Sequence, residues 1–225
     1  MQLARIADEE HSALAFRVSR ASASTSVSPD TLILLPGAPG SDAPLLQAVR
    51  AAGWTGKVIS LLPPRAIYCG EQVRGFTWFH VFAHDAIEPT SFHDSLWHLE
   101  RFVLDLLEQG AAAEDLVLIG AEEGASLLLA ALPYLYDRIA GAAVIGGHPP
   151  RMAAPAPPNA DLREVPVWLI QEDDSGGAIP SLAAAGACLR VSHAESIAPM
   201  QVLRDGLTEW LCAVVAARGG TQHHA

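Results

Sequence analysis

The chain has 225 residues, 50% of them apolar and 17% charged, with a mean hydropathy of +0.24. That is enough apolar material to bury one sizeable core and excludes an intrinsically disordered chain. Twenty-five acidic residues against 14 basic ones give a formal charge of -11 and a pI near 5.1; such a field repels phosphate backbones and anionic lipid surfaces, so neither nucleic acid nor membrane is an expected partner.

Three cysteines, Cys69, Cys188 and Cys212, are widely spaced, with no Cys-x-x-Cys pair and no histidine cluster at zinc-ligand spacing. Reduced thiols and no metal or other cofactor are the expectation. Arg5, Asp8, Glu9 and Glu10 interrupt the first residues where a signal peptide needs an apolar stretch. No window is long enough to span a membrane, and a cytoplasmic location is expected.

In chain order, Gln2 to Ala7 and Ala13 to Ser19 alternate like an antiparallel edge hairpin, its turn at Glu9 to His11. Thr31 to Leu35 reads as a buried strand that ends in the turn Pro36 to Gly40. A short helix, Pro44 to Ala52, leads to a second strand, Lys57 to Leu62, stopped by Pro63 and Pro64. From Ser91, the positions Phe92, Leu96, Leu99, Phe102, Val103, Leu106 and Leu107 recur every three or four residues and predict an amphipathic helix closing at Gly110. Asp115 to Ile119 is the next strand; it runs through Gly120 to Gly124 into an apolar helix, Ala125 to Leu135. Strands follow at Ala140 to Gly146, Val165 to Ile170 and Cys188 to Ser192, then a closing helix from about Pro199 to Ala217. Pro149 to Pro158 reads as a surface loop, and Arg218 to Ala225 as a frayed tail in which His223 and His224 carry nothing. Apolar runs alternating with helical patterns predict a single α/β domain: a mostly parallel sheet of about seven or eight strands with helices on both faces.

The informative segment is Leu116-Val-Leu-Ile-Gly-Ala-Glu-Glu-Gly-Ala-Ser126. A strand that ends in Gly-x-Nuc-x-Gly and turns straight into a helix is a nucleophile elbow, whose middle residue is held in a strained turn above the sheet edge. Gly120 and Gly124 keep that spacing, but the middle residue is Glu122 rather than serine.

On these residues the chain resembles the phospholipase/carboxylesterase family of serine esterases, of the α/β-hydrolase superfamily, whose elbow reads Gly-Phe-Ser-Gln-Gly-Ala against Gly120-Ala-Glu-Glu-Gly-Ala125 here. Pro64-Arg65 and Gly75-Phe-Thr-Trp-Phe79 are similar to the family's segment after its second core strand. Ile197-Ala-Pro199 and Leu207-Thr-Glu-Trp-Leu211 resemble the stretch after its catalytic histidine. The likeness runs from about Thr31 to Leu211 and implies the α/β-hydrolase fold. It also implies three catalytic stations. Glu122 holds the nucleophile station, and the acid station falls at Asp173 or Asp174. Glu195 stands at or beside the histidine station, with His193 two residues earlier as a shifted base. The family's oxyanion loop implies backbone N-H donors at Ala38 and Glu123, and Trp78, Phe79 and His80 are expected to form a pocket wall.

Serine hydrolysis needs a hydroxyl, a base and an orienting group, and two of the three are missing here. Converging carboxylates at Glu122, Asp173 or Asp174, and Glu195 offer instead an acid beside a base, because like charges in a partly dry cleft raise at least one pKa. Dehydration, isomerisation or lactone cyclisation of a small organic substrate fits that arrangement. The same oxygens suit a hard divalent cation. The alternatives are a carboxylesterase-like protein that only binds a small molecule or a protein, and a hydrolase with an unconventional nucleophile; a homodimer is left open. Glu123 reads equally as a carboxylate favoured by the helix dipole, Ser126 as packing, and His148 as a strand-end residue near the cleft rim. His80 and His84 read equally as exposed loop residues.

Overall fold

The computed structural model describes residues 3–4, 14–19, 29–82, 86–148, 162, 165–171, 182–194 and 198–219. Ten strands and four long helices follow one another. They are β1 (Leu3–Ala4), β2 (Phe16–Ser19), β3 (Thr31–Leu35), α1 (Ala43–Ala51), β4 (Lys57–Leu61), β5 (Arg65–Cys69), β6 (Gln72–Thr77) and α2 (Pro89–Glu108). After them come β7 (Leu116–Ala121), α3 (Glu123–Leu135), β8 (Gly141–Ile145), β9 (Pro166–Gln171), β10 (Cys188–His193) and α4 (Pro199–Gly219).

Eight strands form one sheet in the order β1-β2-β4-β3-β7-β8-β9-β10. From β4 to β10 all neighbours are parallel, while β2 pairs antiparallel with β4, Phe16 facing Leu61, and β1 pairs antiparallel with β2. The edge hairpin read from the sequence is therefore present as β1 and β2; its turn at Glu9 to His11 lies outside the described residues.

The strands are apolar on consecutive residues because the sheet is covered on both faces. In β3, Ile33 and Leu35 join Phe92, Phe102, Leu128 and Leu132 of α2 and α3 on one side. Leu32 and Leu34 join Val49 of α1 and Leu203, Leu207 and Trp210 of α4 on the other. Helix α2 starts two residues before the Ser91 read from the sequence, because Glu88 caps it, accepting from the N-H groups of Thr90 and Ser91 at 2.9 and 2.6 Å. The hydroxyl and N-H of Ser91 hold the Glu88 carboxyl down to about 2, so the capped form persists well below the ordinary carboxylate range.

The sequence reading missed the antiparallel pair β5 and β6, which projects between β4 and α2. Its register shifts between Ile67 and Tyr68, so that Ile67 faces Gly75 but Tyr68 faces Val73. That bulge at Arg74 breaks the two-residue alternation by which a hairpin is recognised.

Strand order fixes where a ligand can sit. From β3 the chain steps outward to β4 and then returns to β7 on the other side of β3, and such a reversal opens a crevice beyond the carboxyl ends of the two strands. Residues 36–42 leave β3 there, and Glu122 leaves β7.

Candidate functional site

The turn from β7 into α3 is a strained elbow. Glu122 has φ 51° and ψ -114°, the only non-glycine residue with positive φ among the described residues, in a region that costs a side-chain-bearing residue about 1–3 kcal/mol. It is locked there by its N-H on the Ile145 carbonyl at 2.8 Å and by its own carbonyl, which accepts from the Ser126 N-H at 3.0 Å. The two flanking glycines are required by close approach. A Cβ on Gly120 would stand 2.8 Å from Ala125 Cα, and one on Gly124 would stand 2.7 and 2.8 Å from the carbonyl carbon of Leu35 and the oxygen of Pro36. The elbow read from the glycine spacing is thus where the sequence put it, with α3 beginning two residues before Ala125.

The Glu122 side chain is exposed and lies over Gly37, where an added Cβ would come within 2.8 Å of Glu122 Cβ and 2.9 Å of its Cδ. Two cavities meet at this residue. The larger, about 440 Å³, opens between the ends of β7, β8 and β9 and the start of α4, and is lined by Glu122, His148, Gln171 and Met200 among others. The smaller, about 130 Å³, lies under the loop after β3 and is largely apolar, with Ala38, Pro39, Leu45 and Met200 in its wall. Ala121, Glu122 and Met200 belong to both.

The loop after β3 is braced from behind by the end of β6. Gly40 N-H closes a turn on Gly37 O at 2.7 Å, Phe76 N-H donates to Pro39 O at 2.8 Å, and the Trp78 indole N-H donates to Pro36 O at 2.7 Å. Trp78 and Phe79 are 0% and 3% exposed, so the pocket wall expected of them is corrected. They are core side chains that line neither cavity, and Trp78 acts through its indole bond to the loop. His80 is exposed and outside both cavities, its N-H on Ser91 Oγ.

Glu123 turns away from the cavities and joins this brace. Its carboxyl lies 2.6 Å from Thr77 Oγ1 and accepts from Trp78 N-H at 3.3 Å, while Thr77 Oγ1 is also 2.8 Å from Phe79 O. One hydroxyl proton cannot serve both oxygens, and a proton on Glu123 resolves the conflict. Burial pushes the Glu123 carboxyl above its ordinary value, with the neighbouring Glu122 charge adding to the rise and the bonds from Thr77 and Trp78 opposing it. A carboxyl raised on folding stabilises the fold fully below its unfolded pKa, and that stability is lost as pH rises through the folded value. The urea midpoint of the parent chain, measured against Glu123→Gln, should therefore rise as pH is lowered towards 4.5; parallel midpoints across that window would contradict the protonated form.

The other expected residues separate. Ala38 is exposed on the rim of the smaller cavity, and Glu123 opens α3, so both backbone positions expected of an oxyanion loop flank Glu122. His193 ends β10, the outermost strand, opposite Gln171, is exposed and lines neither cavity. Asp173, Asp174 and Glu195 lie outside the described residues, as does His84. Among the described residues no three His, Cys, Asp or Glu side chains gather as a metal-ligating group, and no helix is long and apolar enough to cross a membrane.

Two lining residues carry more weight than the sequence gave them. His148, read there as a rim residue, is exposed and lines the larger cavity, its backbone N-H donating to Ser126 Oγ at 3.1 Å. Gln171, one residue beyond the strand read from the sequence, ends β9 and lines the same cavity.

No protein-family model matches the sequence, and no curated protein sequence does either. Solved structures do match. The carboxylesterase of Mesorhizobium loti superimposes with a TM-score of 0.69 at 19% identity, over 87% of this chain and 94% of that one. The Bacillus cereus carboxylesterase gives 0.68 at 18%, over 89% and 94%. A phospholipase/carboxylesterase from Dyadobacter fermentans gives 0.59 at 14%, over 86% and 95%. At such identities the likeness speaks for architecture alone, and with nearly the whole of both chains superimposed, this protein has the single-domain α/β-hydrolase fold of the carboxylesterases.

Proposed function

We propose that this chain is an enzyme that has kept the hydrolase pocket and uses the Glu122 carboxylate to move a proton on a small organic substrate, in a dehydration, isomerisation or cyclisation. The observation that carries the reading is the strained conformation of Glu122. A residue free to drift would be expected to relax or to be replaced by glycine, whereas here a positive φ is held by bonds on both sides of the residue, with the carboxyl at the junction of two cavities. No hydrogen bond to that carboxylate is made by the described residues, which leaves its lone pairs for a ligand.

His148 in the same cavity is the second proton carrier this reading assigns, in place of the more distant His193. Glu195 and either Asp173 or Asp174 remain the carboxylates proposed to approach from the neighbouring loops. Ordinary ester hydrolysis would need another hydroxyl as nucleophile, and Ser126 Oγ, one turn into α3, is engaged with Glu122 O at 3.2 Å and with the His148 backbone N-H. A carboxylate attacking an ester would yield a mixed anhydride from a weak nucleophile.

The test is Glu122→Gln, which keeps shape and removes the base. Screened against small hydroxy ketones, hydroxy lactones and hydroxy amides, the parent chain should turn over at least one that the variant does not. Equal turnover by both would sink the reading.

A further inference from the structure

We infer that the ligand of these cavities presents hydrogen-bond donors, as an amine, hydroxyl or amide N-H on a neutral or cationic small molecule, and is not a carboxylate or phosphate. The inference rests on the reading of the cavity as the substrate site and names the class of molecule it takes.

Among the described residues, the walls of the two cavities contain no lysine or arginine. Among the described residues, their one formally charged side chain is Glu122, a carboxylate with no hydrogen-bond partner there. Gln171 points the same way. It is only 6% exposed, lines the larger cavity, and its Oε1 is buried with no hydrogen-bond partner. An amide oxygen left this way has lost its water without gaining a bond in return, and a small shift of the side chain on binding would bring a ligand donor to it. In the smaller cavity, Ser41 adds one hydroxyl beside Glu122 to a wall made otherwise of apolar residues and glycine.

Helix N-termini are the usual source of anion affinity in such a crevice; here the start of α3 has no side-chain cap but stands beside the Glu122 carboxylate, which opposes an incoming anion. Helix α3 carries Glu122 and Glu123 in its own first residues. Helix α4 opens with Pro199, which has no N-H, and the N-H groups of Gln201 and Val202 fold back on Ala198 O at 2.8 and 3.3 Å. An anion entering would meet a carboxylate and an amide oxygen, with a whole-chain charge of -11 behind them.

A matched series on one ring tests this: benzylamine, benzyl alcohol and benzoate, titrated into the intact chain at pH 7 with binding read from amide chemical shifts around Glu122 and Gln171. The amine and the alcohol should bind, and benzoate should bind at least about tenfold more weakly, the factor expected when a charge-assisted bond is replaced by repulsion. Glu122→Gln should erase most of the preference for amine over alcohol, and Gln171→Leu should weaken both. Benzoate binding as tightly as the amine, a series in which no member binds, or affinities unmoved by both substitutions would each overturn the inference. Turnover enters none of these readouts. A Glu122→Gln variant that keeps its activity would therefore defeat the proposed chemistry alone, while an inverted binding order would defeat the ligand class alone.

Discussion

Glu122→Gly is expected to silence the site and, in the same molecule, to make the fold harder to unfold. The first effect follows from loss of the carboxylate. A positioned general acid or base contributes about 10²–10⁴-fold, so turnover should fall by about three orders of magnitude, as in Glu122→Gln. The second follows from the backbone. With φ 51° and ψ -114°, residue 122 occupies a region glycine enters without a Cβ clash, and relief of about 1–3 kcal/mol is offset by roughly 0.5–1 kcal/mol of extra chain entropy in the unfolded state. Chemical denaturation should show a net gain of about 1–2 kcal/mol. Glu122→Ala is the control, since it deletes the carboxylate but keeps the strain. If glycine and alanine unfold at the same denaturant concentration, the elbow is not strained and loses its standing as a built feature.

Gly124→Ala should have the opposite sign and a larger size. Its methyl group would be driven into the backbone of Leu35 and Pro36, at 2.7 Å from a carbonyl carbon and closer still to the Leu35 oxygen. Backbone cannot rotate aside as a side chain does, so α3 must lift from β3, a central strand paired on both sides with β4 and β7. Overpacking of this kind costs about 3 kcal/mol or more. Where the variant still folds, the displaced end of β3 also carries the loop over the smaller cavity, so ligand binding should weaken as well. A denaturation midpoint within 1 kcal/mol of the parent would mean that the two elements are packed less closely than the glycine implies.

Those two glycine positions also show what the sequence reveals and what it hides. Gly120 and Gly124 were legible because close approach of strand and helix leaves a spacing that survives loss of the serine. The parallel strands were legible because burial on both faces leaves unbroken apolar runs such as Leu32 to Leu35 and Val117 to Ile119. Trp78 and Phe79 announced themselves as large aromatics, but the sequence holds nothing about which way a ring faces. Only the indole bond to Pro36 shows that Trp78 serves the site from within the core. Hairpin β5 and β6 was missed because a bulge and half-exposed faces erase the alternation. Gln171 was hidden for a different reason. A polar residue at a strand terminus is ordinary, and its orphaned oxygen exists only once neighbouring strands have closed around it.

The ridge formed by Glu122 between two unequal chambers restricts regiochemistry. On the proposed chemistry, a compound long enough to occupy both would lie past Ala121, Glu122 and Met200, placing an internal bond beside the carboxylate, with a short arm on one side and a bulkier portion on the other. Molecules bearing their reactive group at a chain end would rest wholly in one compartment, and the opposite compartment would then discriminate among them by staying empty.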